Sequence, residues 1–273
     1  MRYVAVGHVC VDELFEQPER LGGTVFFSAA QAAAMGCEVT VATSCTSEVA
    51  ARARRLLPDG TDLQVTPTNL DTRFEFAERA ELGPQRLLSI ASTVNGFASE
   101  RMPDVLHLAP IFNEIDGDLL RTARDRAHFV GATPQGLLRG TNADGALRFV
   151  ADHWPDVDDF ADAIVLNDEE YLHLAGIGLL DRFSGWVFRT LGAEGAALLR
   201  RGVEVGRRPL GPWNVEVPPP RTIGAGDVFA AAAFVSLARG DDPTAALGVA
   251  VRSSAAYVRR TSDRPVFTDG TPG

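Results

Sequence analysis

Lysine is missing from this sequence, and all 26 basic residues are arginine. That removes a Walker A loop and the strand lysine of protein kinases, both of which set an ammonium on nucleotide phosphates. Schiff-base and pyridoxal chemistry on lysine goes with it. If the chain handles phosphate, it must use backbone N–H groups, arginine or a metal. Cysteine is scarce too. Cys10, Cys37 and Cys45 are odd in number and form no C-x-x-C, which argues against a disulfide framework and against a zinc site. They read as small buried hydrophobes in a reducing cytoplasm. The five histidines, His8, His107, His128, His153 and His173, make no H-E-x-x-H pair. No apolar run reaches the roughly 18 residues of a membrane span, and the opening MRYVAVGHVCVD has no basic region followed by a cleavage site. A net charge of −10 disfavours a broad nucleic-acid surface. Gly7-His8-Val9 is no G-x-G-x-x-G, which disfavours a dinucleotide-dependent oxidoreductase.

What is present reads as a globular α/β chain. At 273 residues, 45% apolar and 23% charged, a single domain over 1–273 is expected, without linker or repeat. Residues 2–11 are a β-branched run expected as one buried strand ending at Asp12. A glycine-opened, alanine-rich helix over 24–35 follows, then a strand over 38–43 and a helix over 48–57. This β-α-β-α opening suits a parallel sheet. Between about 62 and 92 the pattern changes: residues 72–79 alternate apolar and charged positions, Gly83-Pro84 is a turn and 87–91 is apolar again, which predicts a half-exposed antiparallel hairpin at the edge of that sheet. Parallel alternation resumes beyond it, and two helices, over 227–238 and from Thr244 to about 258, close the chain.

The segment 218–234, PPPRTIGAGDVFAAAAF, is the chemical centre of the sequence. Gly224, Ala225 and Gly226 stand where a helix begins, and unpaired N–H groups with the helix dipole favour an anion there. Small residues let the backbone approach that anion closely. Asp227 is the one acid beside this cradle, suited to take a proton from a hydroxyl; the local alternative is that it only caps the helix.

Together with segments upstream, this motif resembles the PfkB family of carbohydrate kinases, which have the ribokinase-like fold. The matching pieces lie in order along nearly the whole chain: Gly7 to Asp12, Gly22-Gly23, Asn167-Asp168-Glu169-Glu170, Thr190-Leu191-Gly192-Ala193-Glu194-Gly195, and Thr222 to Asp227. The resemblance implies a three-layer sandwich with a mostly parallel central sheet and a reduced lid. It also implies ATP-dependent transfer of a phosphoryl group to a hydroxyl of a sugar, an inositol-like polyol or a nucleoside. Asp227 is then the catalytic base, with Gly224, Ala225 and Gly226 cradling the group in flight. Asn167 and Glu170 order Mg²⁺ through water near the nucleotide phosphates, or serve simply as a helix N-cap with an acidic first turn. Thr190, Gly192 and Gly195 form the ATP-binding loop, or a plain β-turn. Asp12, with Gly22 and Gly23, takes the acceptor hydroxyls, or caps a turn. The resemblance admits a monovalent cation as a further cofactor and a homodimer as the assembly, with small molecules rather than nucleic acid or membrane as partners. A non-catalytic nucleotide- or metabolite-binding protein on the same fold is the alternative.

The sequence also departs from the family. Phe27 stands where most members carry an asparagine that helps hold the acceptor. Only nine residues separate Asp12 from Gly22, where larger members insert lid strands, so the lid is either minimal or built from residues 72–91. Arg221 replaces a usual aspartate and is either a cation near the phosphoryl site or a solvent-facing residue. Gln135-Gly136-Leu137-Leu138-Arg139 is a Q-G-x-x-R segment like one in short members acting on inositol-like polyols or nucleosides; Gln135 and Arg139 either reach the acceptor or, as the default, lie in a surface loop.

Overall fold

The computed structural model describes residues 1–14, 18–76, 85–155, 160–211 and 222–263. In chain order the elements are β1 (Arg2–Val6), β2 (Cys10–Leu14), β3 (Arg20–Gly22), α1 (Thr24–Ala34), β4 (Glu38–Cys45), α2 (Ser47–Leu56), β5 (Asp62–Pro67), β6 (Thr72–Phe76) and β7 (Gln85–Ser89). There follow β8 (Val105–Leu108), α3 (Gly117–Thr122), β9 (Phe129–Ala132), β10 (Arg139–Thr141), β11 (Leu147–Phe149), β12 (Ala163–Asn167) and α4 (Asp168–Gly176). The last are β13 (Trp186–Thr190), β14 (Ala196–Arg200), β15 (Val203–Arg208), α5 (Ala225–Ala238) and α6 (Pro243–Asp263).

The main sheet runs β15-β14-β13-β12-β9-β8-β1-β4-β5. From β13 to β5 every neighbouring pair is parallel, and β14 and β15 join antiparallel at one edge. Strand side chains alternate faces, and β1 shows the result. Tyr3 and Ala5 enter a core with α1, α2, α5 and α6, while Val4 and Val6 enter a second core with α3 and α4. Helices therefore cover both faces, the three-layer sandwich that the resemblance implied. Strand order reverses at β1 and β8, the switch point where open α/β sheets bind ligands beyond the strands' carboxyl ends.

Above that point sits a separate four-stranded sheet, β3-β2-β6-β7, with strands of three to five residues. This is the reduced lid, and it corrects two expectations. Residues 2–11 are not one strand: the chain leaves the main sheet after Val6, and Asp12 lies in the lid. A Cβ on Gly7 would come within 2.3 Å of the Ala109 carbonyl oxygen, so backbone crossing at this break requires a glycine. Residues 62–92 do not form a hairpin at the main-sheet edge either. Their first strand, β5, is the parallel edge of the main sheet, while β6 and β7 pair in the lid, β6 lying parallel to β2. The Gly83-Pro84 turn lies outside the described residues. The nine residues after Asp12 suffice for β3 to fold back on β2, pairing Asp12 with Arg20.

Buried polar side chains join lid to sheet. The Glu114 carboxylate, 1% exposed, accepts N–H bonds from His8 (2.9 Å), Ile111 (2.8 Å) and Phe112 (2.7 Å), tying the β1–β2 crossing to the loop after β8. His8 Nε2 donates to the Ser92 carbonyl at 2.8 Å, which leaves Nδ1 to accept from the Thr72 hydroxyl at 2.7 Å.

Candidate active site

α5 begins at Ala225, with Gly224 as its N-cap at φ +90°, and Asp227 is the third residue of the helix. The Ala225 N–H turns back to the Thr222 carbonyl (2.9 Å), while the N–H groups of Gly226 and Asp227 meet no acceptor among the described residues. Two side chains of α6 fix the turn from behind: Tyr257 donates to the Ile223 carbonyl at 2.7 Å and Ser254 to the Ala225 carbonyl at 3.0 Å. With the carbonyls held inward, the open N–H groups face outward. Gly226 is exposed, and a Cβ there would meet nothing within 4 Å, so the space in front of the turn is open to an anion.

Asp227 borders a cavity of about 210 Å³ whose wall also includes Asp12, Gly23, Gly224 and Gly226. These residues, separated by more than 200 positions in sequence, are thus brought to one space. Burial lifts the pKa of Asp227 to about 6; a hydrogen bond from Thr24 opposes the rise, Glu170 adds to it and Arg139 counters it. Burial also raises the pKa of Asp12, against the pull of Arg20, whose Nε lies 3.6 Å from Asp12 Oδ2. Gly22 stands behind this carboxylate, where a Cβ would come within 2.4 Å of Oδ2. Gly23 has φ +96° and packs against the His8 carbonyl. The glycine pair is therefore shaped by Asp12 and the β1–β2 crossing.

The remaining candidates form a second group at the carboxyl ends of β12 and β13, where Asn167 and Thr190 are register partners. Asn167 and Glu170 make a reciprocal capping box: Asn167 Oδ1 accepts from the Glu170 N–H (2.8 Å), and Glu170 Oε2 accepts from the Asn167 N–H (2.9 Å). The Thr190 hydroxyl donates to the Leu166 carbonyl at 3.3 Å. Gly192 at φ +56° is exposed with open space around it, and Gly195 at φ +99° packs its backbone on the Arg208 carbonyl. Glu170 joins this group to the first, through a hydrogen bond from Gln135 and through its charge on Asp227. No cluster of three or more His, Cys, Asp or Glu able to hold a metal occurs among the described residues, so the Asn167–Glu170 pair fits a cation only through water.

Phe27, in the place of the expected asparagine, is 4% exposed and lies directly under the turn. A Cβ on Gly224 would reach within 2.6 Å of its ring, and the ring meets Tyr257 edge-on at 6.2 Å. Arg221 lies outside the described residues. The Q-G-x-x-R segment is no surface loop: Gln135 and Arg139 both line the cavity, because the short helix over Pro134–Leu138 buries Leu137 and Leu138 and turns the chain inward. In the closing helix, Leu247, Ala250 and Val251 pack into the core against α5.

The pfkB family carbohydrate kinase model matches residues 158–268, which hold α4, the β13 turn and the GAGD turn. That part of the chain resembles pfkB kinases. Solved structures extend the likeness of fold to the whole. A pyrophosphate-dependent kinase of the ribokinase family, complexed with a pyrophosphate analogue and myo-inositol, is 19% identical with a TM-score of 0.78, over 94% of this chain and 95% of that one. Ribokinase from Thermotoga maritima is 18% identical with a TM-score of 0.67, over 96% and 99%. Ribokinase from Cryptococcus neoformans with ADP is 20% identical with a TM-score of 0.65, over 93% and 92%. No curated protein matches in sequence. The pfkB segment supplies the turn and the candidate base, whereas Asp12, Gly23 and Arg139 reach the cavity from outside it.

Proposed function

We propose that the chain is a phosphotransferase that moves a phosphoryl group from ATP to a hydroxyl of a sugar, inositol-like polyol or nucleoside, acting as one unit over 1–273. The observation that carries this reading is the shared cavity of Asp12, Asp227 and the GAGD turn. A hydroxyl held by Asp12 within reach of Asp227 gives up its proton to that carboxylate as the oxygen attacks phosphorus. The N–H groups of Gly226 and Asp227, aligned with the α5 dipole, stabilise the negative charge of the group in flight. A base with its pKa lifted to about 6 is largely ionised at neutral pH and still strong enough to accept the proton. The turn after β13, with Gly192 open, suits the donor's outer phosphates and nucleoside. Mg²⁺, when bound, supplies charge neutralisation on the donor phosphates, and Asn167 and Glu170 would hold it through water.

Pyrophosphate is the second donor to consider. Structures of the pyrophosphate-dependent kinase give TM-scores of 0.77 to 0.79, against 0.60 to 0.67 for the ribokinases, fructokinase and adenosine kinase. The test is phosphoryl transfer from ATP and from pyrophosphate over a panel of sugars, inositols and nucleosides, with Asp227→Asn as control. Transfer from at least one donor, lost in the variant, is the expected result. A wild-type protein that binds donor but phosphorylates nothing on the panel would favour the binding-protein alternative.

A further inference from the structure

The row of side chains at the carboxyl end of β13 continues across the edge of the sheet. Thr190 pairs with Ala196 on β14, and Ala196 pairs with Arg208 on β15. Residues paired in this way point to one face, here the α5–α6 face that buries Ala196. The Arg208 backbone itself packs on Gly195, in the turn after β13.

Facing that row, α6 carries Thr244, Gly248 and Arg252 at helical spacing. A Cβ on Gly206 of β15 would meet Thr244 Cγ2 at 3.4 Å. One on Gly248 would meet Arg252 Nη1 at 3.3 Å and Arg208 Nε at 3.9 Å. Two guanidinium groups from different elements thus close over one glycine, a residue unfavourable inside a helix that here leaves them room. Arg252 also lies two positions before Ser254, whose hydroxyl holds the Ala225 carbonyl of the GAGD turn at 3.0 Å.

Neither Arg208 nor Arg252 forms an ion pair or a side-chain hydrogen bond among the described residues. The acids of β15 and of the head of α6 are engaged elsewhere. Glu204 is held by Arg207 at 2.8 Å on the opposite face of β15, and Asp242 accepts from the Thr244 N–H at 2.9 Å. Like charges set together without a counter-charge repel, and an anion between them relieves that repulsion. Leu247, Ala250 and Val251 are spent in the core, so α6 offers this side charge rather than an apolar wall for a base.

We propose that Arg208 and Arg252 are a donor-binding pair that grips the leaving phosphate, and that the chain accordingly takes inorganic pyrophosphate as a donor beside ATP. The inference rests on the kinase reading and deepens its donor side. The acceptor oxygen attacks one phosphorus of pyrophosphate, and its proton passes to Asp227. The anhydride P–O bond breaks, and orthophosphate leaves with the bonding electrons. Its charge falls to the two guanidinium groups, which need no nucleoside to recognise it.

Initial rates in the full chain test this, with whichever panel acceptor the wild type phosphorylates best. The variants are Arg208→Gln and Arg252→Gln, with Arg207→Gln as the control on the opposite face of β15. The wild type is expected to phosphorylate the acceptor from pyrophosphate. Arg208→Gln and Arg252→Gln are each expected to raise the pyrophosphate KM about tenfold, to raise the ATP KM less, and to leave the acceptor KM unchanged. Arg207→Gln is expected to change the pyrophosphate KM less than about twofold. All three side chains are exposed, so melting temperatures should stay near that of the wild type. If a glutamine variant fails to fold, Arg252→Lys with a pyrophosphate KM raised about threefold carries the test, since an ammonium keeps the charge and loses the fork. Transfer from ATP with none from pyrophosphate would overturn the inference and leave the kinase reading standing. A pyrophosphate KM unmoved at 208 and 252, or moved equally by Arg207→Gln, would overturn it too. Transfer from neither donor would instead sink the kinase reading, and this inference with it.

Discussion

The carboxylate of Asp227 is held under opposed pressures: the α5 N-terminus and Thr24 favour its charge, while enclosure in the cavity lifts its pKa to about 6. Turnover is therefore expected to fall below pH 6 as the base becomes protonated, giving kcat an acid limb near that value. The same shift bears on stability. A carboxyl whose folded pKa lies above its unfolded value of 3.8 favours the folded state when protonated, and that contribution is lost as pH rises from 3.8 through 6. Asp227→Asn is accordingly expected to lower kcat about 10²- to 10⁴-fold, yet to raise stability at pH 8 by about 2 kcal/mol in urea unfolding. Gly226→Ala should give a similar contrast by another route. It fills open space at the head of a helix, so the fold gains about 0.5–1 kcal/mol while the methyl group intrudes on the anion and turnover drops. Tyr257→Phe releases the Ile223 carbonyl and is expected to lower kcat about tenfold with little change in acceptor KM. The GAGD turn stands out in the sequence because its glycines, its acid and the helix start are consecutive, whereas Asp12 was expected at the end of a main-sheet strand and lies in the lid. Of the two placements left open for Arg139, the default surface loop gives way to the cavity wall, because its neighbours Gln85, Ile111 and Phe74 meet it only through the tertiary fold.

Among the elements, α4 realises the helix-cap reading of its motif. The Asn167–Glu170 box caps the helix, and the same Glu170 remains coupled to Asp227 and Arg139. The lid strands were the hardest to foresee. β2 continues the apolar pattern of β1 without a break in composition, and only the close approach of Gly7 to Ala109 reveals that the chain has left the sheet. Alternation over β6 was visible in the sequence and matches its half-buried pattern, but periodicity says nothing about which sheet a strand joins. The junction between the sheets depends on Glu114. Replacing it by Gln puts an NH₂ donor among N–H donors that now share one carboxylate, and should destabilise the protein by about 2–3 kcal/mol in denaturant unfolding.

For the molecule as a whole, the alternation of strands and helices was enough to anticipate a parallel sheet covered on both faces. Connections between parallel strands need long crossovers, and those leave clear helical signatures. The two cores differ in kind from the small apolar cluster beneath the lid, which includes Cys10, Leu14, Phe74, Phe76 and Ile111. Hydrogen exchange should therefore find lid amides opening well before those of β1, β8 and β12, and a saturating acceptor should slow lid exchange selectively. No helix among the described residues is long and apolar enough to cross a membrane. The lid is knitted from two pieces of chain, with Cys10 opposite Thr72, while β4, α2 and β5 intervene. A ribosome must accordingly deliver β6 before the first lid strand has its parallel partner, so a nascent chain cannot complete the lid from its opening segment alone. Grafting such a lid onto another protein would likewise take two coordinated insertions.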